Sequence, residues 1–208
     1  MVDDSIHSLR GTSWALLAAT LVFLIAAFIT KYFGHFPLPS DPLEQLTLIA
    51  TDPFGWPVQA ILFPVCHAAL TVVFGLLAAR LPEGLPRWLG IAAAVLFGIG
   101  ALLWLPISGD RLRVFREAPE LTRLYNPATP PVVFNDTGVF WPHTVAILAA
   151  IGLMGGALAL GGVLPTLGWV IVGLAVVGGG AGVLLMRDWP PFLSYVILLV
   201  LAVGLLWK

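Results

Sequence analysis

The chain has 208 residues, 59% of them hydrophobic and 10% charged, with a mean hydropathy of +0.98 and a formal net charge of −1. A soluble domain carries about a quarter charged residues, so this composition excludes an ordinary soluble globule, and no nucleic-acid partner is expected. The single cysteine, Cys66, excludes disulfides and thiolate metal centres within the chain.

The N-terminal stretch MVDDSIHSLRGTSW is acidic rather than basic, and no small-x-small cleavage site follows the first apolar block. That block is therefore expected to be retained, not removed as a signal peptide. Six apolar blocks follow one another at about 14–33, 56–81, 88–107, 139–161, 166–186 and 192–207. Crossing a hydrocarbon core of about 30 Å takes about 20 helical residues. Five blocks meet that length; the sixth reaches it with Trp189 and Pro190-Pro191 in the interface and Lys208 snorkelling at the far end. Tryptophans stand at block edges: Trp14, Trp56, Trp88, Trp141 and Trp169 at the openings, Trp104, Trp189 and Trp207 at or beyond the ends. Indole rings favour the headgroup level, so the placement reads as a pair of aromatic belts. The expected fold is all-α: one six-transmembrane-helix bundle domain over residues 1–208, in contact with the lipid bilayer and open to association with other membrane subunits.

The connections are unequal. Those after the second and fourth blocks are tight, LPEGLPR and GGVLPTLG, whereas those after the first and third run to about 20 and 30 residues and share one face with the MRDWPP turn. In the first long loop Asp41, Pro42 and Glu44 make a capping-box-like helix start, and LEQLTLIA after it is expected to lie in the interface. Asp52-Pro53 repeats the cap-then-proline signal before the second block. In the second long loop DRLRVFREAPELTRLY reads as a broken, surface-lying helix, its arginines Arg111, Arg113, Arg116 and Arg123 solvated or facing headgroups; a dedicated anion or phospholipid-headgroup site is the sharper alternative.

Orientation signals conflict. Arg10, Arg80, Arg87 and Lys208 lie on the short-loop face against Lys31, the four loop arginines and Arg187 on the other, which alone would put the long loops in the cytoplasm. The long-loop face also carries most of the acids, and the orientation adopted here is the cell (inner) membrane with both termini cytoplasmic. Gly152 and Gly156, then Gly178 and Gly182, stand in G-x-x-x-G spacing and are expected to pack helices within the bundle.

Ionisable groups inside spans are the default functional candidates, because desolvating them is costly. Two qualify: His67 in mid-span and His143 in the first turns of the fourth span, the latter capped by Asn135, Asp136 or Thr137. Around His67, helical steps align Ala60, Pro64, Thr71 and Gly75 in a small, polar stripe, and Pro64 frees the Ala60 carbonyl near Gln59. Gln59, His67, Thr71 and His143 are thus the candidate ligand-binding residues, lining a pocket between the second and fourth spans. The plainer account of His67 is a neutral ring donating to a carbonyl of a neighbouring helix; for His143 it is a wet interfacial residue. His7 and His35 read as surface residues. Bis-histidine haem needs both imidazoles at one depth. Counting residues from the expected helix starts puts His67 several ångströms deeper than His143, which argues against it, and neither metal nor cofactor is expected. No acidic residue lies within a span, and no H-E-x-x-H, G-x-S-x-G or Walker loop is present.

The stretches LEQLTLIATDPFGWPVQAILF and FGLLAARLPEGLPRWLGIAAAVLFGIGALLWLPISGD, with Trp141-Pro142-His143-Thr144 opening the fourth span, resemble a bacterial six-span family known as domain of unknown function 998. The resemblance covers nearly the whole chain and implies architecture without an activity; the long Arg-rich loop and His67 depart from the family's pattern. Two functional readings stay open. One is a non-enzymatic bundle that binds a lipid or small apolar ligand, or serves as accessory subunit of a membrane complex. The other is a small membrane redox enzyme (haem or quinone) or lipid-modifying enzyme using His67 and His143.

Overall fold

Among the described residues the chain forms eight helices: α1 (Val2–Phe28), α2 (Lys31–Gly34), α3 (Pro42–Ala50), α4 (Gly55–Arg80), α5 (Leu85–Arg123), α6 (Phe140–Leu160), α7 (Pro165–Ala181) and α8 (Pro191–Leu206). The computed structural model describes residues 2–35, 39–131, 133, 138–181 and 191–208, and no strand occurs among them. The suggested caps Asn135, Asp136 and Thr137 of the fourth span, together with Gly182, Arg187 and the Trp189-Pro190 interface, lie outside the described residues. Four helical stretches, Leu9–Phe28, α4, α5 and α6, are long and apolar enough to cross a membrane, while α7 and α8 are shorter apolar helices. The protein is all-α, and these apolar helices point to a membrane location.

Helices adjacent in sequence pack side by side, α4 on α5, α5 on α6 and α6 on α7, and α1 packs on both α4 and α8. The central member is α6, which touches α5, α7 and α8 and buries most of its length. Its approach to α7 is made by glycine. A Cβ at Gly155 would lie 2.8 Å from the Gly168 carbonyl, and one at Gly168 would collide with the Gly155 carbonyl. The expected pair Gly152 and Gly156 meets only ordinary side-chain contacts, at 3.5 Å from Ala175 and 3.8 Å from Val172. Small residues let helices close up only where they lie on the crossing point, and the crossing falls one residue off the spacing motif.

The short-loop end is built from tight turns. Gly84 (φ 94°) and Gly162 (φ 70°) take left-handed conformations that other residues avoid. Arg87 donates to the Leu81 carbonyl at 3.1 and 3.2 Å, satisfying an acceptor at the end of α4.

The opposite end departs from expectation. Residues 108–123 do not form a broken surface helix: α5 runs unbroken through Pro106 and Pro119 for 39 residues, about 58 Å at 1.5 Å per residue. Its apolar face continues past the membrane-length segment, and Val114 and Ala118 bury against Leu46 and Ile49 of α3. Tyr32, Trp56 and Val133 complete this second core. Its polar face carries an ion-pair ladder in which Arg113 reaches Asp110 at 2.9 Å and Glu117 at 2.5 Å. The helix α3 begins as expected, with Asp41 accepting from the Glu44 N–H at 3.1 Å and Pro42 in the first turn. Its buried side is turned to α5 rather than to lipid.

Tryptophan burial separates the two ends. Trp14, Trp88, Trp169 and Trp207 are 55%, 69%, 54% and 88% exposed and all belong to the short-loop end, where they form one belt. Trp56 and Trp104, 0% and 1% exposed, are core residues, and Trp141 is half-buried. The second belt expected from block edges is therefore not built from Trp56 and Trp104: the layer of α2, α3 and the end of α5 covers Trp56, and Trp104 turns into the bundle core against Phe63, His67 and His143.

Candidate functional site

The start of α4 is held by one carboxylate. Asp52, buried, accepts from the Gly55 N–H at 2.8 Å and from the Lys31 N–H at 2.9 Å, joining the first turns of α2 and α4. Gly55 is required there, since a Cβ would come within 2.6 Å of the Ile29 carbonyl and 2.7 Å of the Asp52 carboxylate. From this anchor α4 sends Trp56, Gln59, Phe63 and His67 inward at three- and four-residue steps, one buried face.

Gln59 lies nearest the long-loop end. Its amide donates to the Ala26 and Ala27 carbonyls at the end of α1, both at 3.0 Å, and its oxygen accepts from Arg111 of α5. The Trp56 indole N–H donates to the Arg111 carbonyl at 2.8 Å. Four rings surround the Arg111 guanidinium, whose carbon lies 5.2 Å from the centroid of Phe33, 5.5 Å from Trp56, 5.6 Å from Phe63 and 5.9 Å from Trp104. Beside it, burial pushes the Tyr32 phenol above its usual range, against the pull of the arginine charge.

Two turns deeper lie the histidines. The rings of His67 and His143 stand edge to face with centroids 5.1 Å apart, and Trp104 packs on both, at 5.5 Å and 4.6 Å. The depth mismatch expected from residue counts is overturned, because the helix ends are not flush. His67 lies 12 residues past Gly55 and His143 only three past Phe140. The extra turns of α4 belong to the outer layer with Trp56, which brings the two rings level. His67 Nδ1 donates to the Phe63 carbonyl at 2.7 Å, a partner on its own helix rather than on another span. His143 Nδ1 donates across to the Gly100 carbonyl of α5 at 2.8 Å; the ring is buried, not wet. Carbonyls only accept, so each Nδ1 carries a proton, and in the neutral ring Nε2 is then the acceptor end. His67 Nε2 has no hydrogen-bond partner, nor do the neighbouring Trp104 indole N–H and Tyr195 hydroxyl.

Phe23, Tyr195 and Phe97 pack around His67 at 5.6, 5.7 and 6.2 Å. An iron shared by two imidazoles would need a macrocycle between them, and rings already in contact leave no plane for it; haem does not fit these residues. Among the described residues no group of three or more His, Cys, Asp or Glu side chains could hold a metal ion. Thr71 does not join the cluster: half-buried, it donates to the His67 carbonyl at 2.8 Å and abuts the position of Gly98. The expected polar stripe is likewise displaced, with Gly75 exposed and Pro64 half-buried. His35 is exposed, as expected of a surface residue, 3.7 Å from Glu44.

Sequence reasoning missed Arg111 and Trp104 as inward-facing residues. The available signal was register: Gly100, Trp104, Ser108 and Arg111 recur at three- and four-residue steps across the end of the apolar block. A scan against protein-family models, a search of curated proteins and a search of solved structures each found no match for this chain.

Proposed function

We propose that the protein is a six-span bundle of the cell (inner) membrane, with α7 and α8 as the last two spans and both termini cytoplasmic, that holds the hydrocarbon chain of a lipid without chemical turnover. The observation that carries this reading is a groove of about 780 Å³ between α6 and α7, walled by Leu148, Gly152, Gly156 and Gly179. Leu89 of α5 closes one edge, and apart from Thr144 and the indoles of Trp141 and Trp169 every lining residue is apolar or glycine. The volume falls among small-ligand sites, about 300–1,000 Å³. Along α6 the groove runs from Trp141 to Leu160, about 28 Å at 1.5 Å per residue, close to the thickness of a hydrocarbon core. The ring-packed surroundings of His67 favour a role without turnover. The resemblance to domain of unknown function 998 fits the same architecture.

The second reading, a small redox enzyme acting on a quinone or a lipid-modifying enzyme, draws support from one observation: His67 and His143 meet, and the Nε2 of His67 is buried without a hydrogen-bond partner. The groove reading is tested by native mass spectrometry of protein released from phosphatidylcholine nanodiscs. Wild type should retain lipid, and Gly156→Leu, which fills the groove without a backbone clash, should lose it while staying folded. Equal retention by both would sink the reading, and adducts of a second chain in place of lipid would transfer the groove to subunit contact.

A further inference from the structure

Arg111 and Arg113 stand in opposite surroundings. Arg113, two residues on, is matched by Asp110 and Glu117. Arg111 has no carboxylate within ion-pair distance among the described residues, although it is enclosed by four aromatic rings. Ring faces attract the cation but offer no lone pair, so they orient the guanidinium without consuming its N–H groups. Of its five N–H donors, one is taken by the Gln59 oxygen. Two further donors stand on the same face of α5. Ser108, one turn earlier, is buried with its hydroxyl unpartnered, and the Trp104 indole N–H, one turn earlier again, is buried and unpartnered too. Steps of four and three residues put the three side chains in one column.

A desolvated guanidinium whose nearest acid, the adjacent Asp110, acts on it electrostatically but is paired to Arg113, in line with two orphan donors, is the donor set an oxyanion needs: a planar fork for two oxygens and single donors for the rest. It also lies at a telling depth. The apolar run of α5 ends at Ile107, so Arg111 sits where headgroups begin. We propose that Arg111, Ser108 and Trp104 bind a phosphate-type oxyanion that enters from the long-loop end, carried either by an amphipathic lipid or by free phosphate. The site is separate from the α6–α7 groove, and either can fail without the other.

The test is thermal unfolding of the detergent-purified protein with three additions: dioleoyl phosphatidic acid, dioleoyl phosphatidylcholine and inorganic phosphate. A lipid source predicts a rise in Tm with phosphatidic acid well beyond that with phosphatidylcholine; a free-ion source predicts the rise with phosphate. In either case Ser108→Ala should weaken the effective ligand at least tenfold, and Arg111→Gln should abolish the shift. The exposed Arg116→Gln should leave it intact. Should Arg111→Gln not fold, Ser108→Ala and Trp104→Phe decide alone. Equal shifts in wild type, Ser108→Ala and Trp104→Phe, or no shift with either phosphate source, would overturn the proposal and leave Arg111 as a structural tie between α4 and α5.

Discussion

The two ends of the bundle solve the same problem, closing a set of apolar helices, in opposite ways. At the short-loop end the helices stop together: Gly84 and Gly162 turn the chain within a few residues, and exposed tryptophans face the surroundings. At the long-loop end they stop at different heights, α4 and α5 running on into a second core with α2 and α3. One end shows its tryptophans and the other encloses Trp56 and Trp104 with an arginine, a glutamine and two histidines. The lesson is that a tryptophan at the edge of an apolar block has two physical homes, the headgroup level or the core of an added layer. Its neighbours decide which.

The largest expected effect concerns sidedness. In a Cys66→Ala background, Gln45→Cys and Glu120→Cys should react with a membrane-impermeant thiol reagent from one side of sealed vesicles, and Lys208→Cys only from the other. Labelling of all three from one side would break the comparison at its root, since the two ends would then share a compartment.

Next in size is tryptophan truncation. Trp56→Ala removes a fully buried ring and its hydrogen bond to Arg111, and should cost about 3–5 kcal/mol. Trp88→Ala, at an exposed belt position, should stay within about 0.5 kcal/mol in detergent, measured by reversible unfolding. Comparable losses at both positions would mean that the ends are not built differently.

The smallest effect separates the histidines. His143→Leu strips the Gly100 carbonyl of α5 of a buried donor and should cost about 1–3 kcal/mol. His67→Leu removes a ring bonded within its own helix, to a carbonyl that also serves the helix ladder, and should cost less than about 1 kcal/mol. A larger loss at His67 would assign it the inter-helix role that its hydrogen bond does not provide.

Much of this was legible in the residues. The apolar blocks, the Asp41 cap, the tight turns at Gly84 and Gly162, and the choice of Gln59 and His67 as inward-facing polar groups follow from local rules, because backbone conformation and the cost of burying a polar atom are properties of each residue and its near neighbours; the burial of His143, read as a wet interfacial residue, did not. The meeting of the two histidines was not legible. It depends on where α4 begins relative to α6, a difference of several turns that no count along one helix contains. Thr71 failed for a related reason: helical spacing from His67 places it near the same face, but the neighbouring surface of α5 at Gly98 leaves it at the rim.

What the sequence determined by itself, then, is an all-α chain of membrane-length apolar helices with few buried polar groups, since hydropathy and helical period act locally. Only the tertiary structure decided that α5 continues through two prolines, that Trp56 and Trp104 turn inward, and that Gly155 rather than Gly156 carries the α6–α7 crossing. Each of these is settled by what lies opposite: α3 offers Leu46 and Ile49 to the far end of α5, and Gly168 meets Gly155. Packing partners distant in sequence supply the free energy that chooses between conformations which local propensity leaves nearly equal.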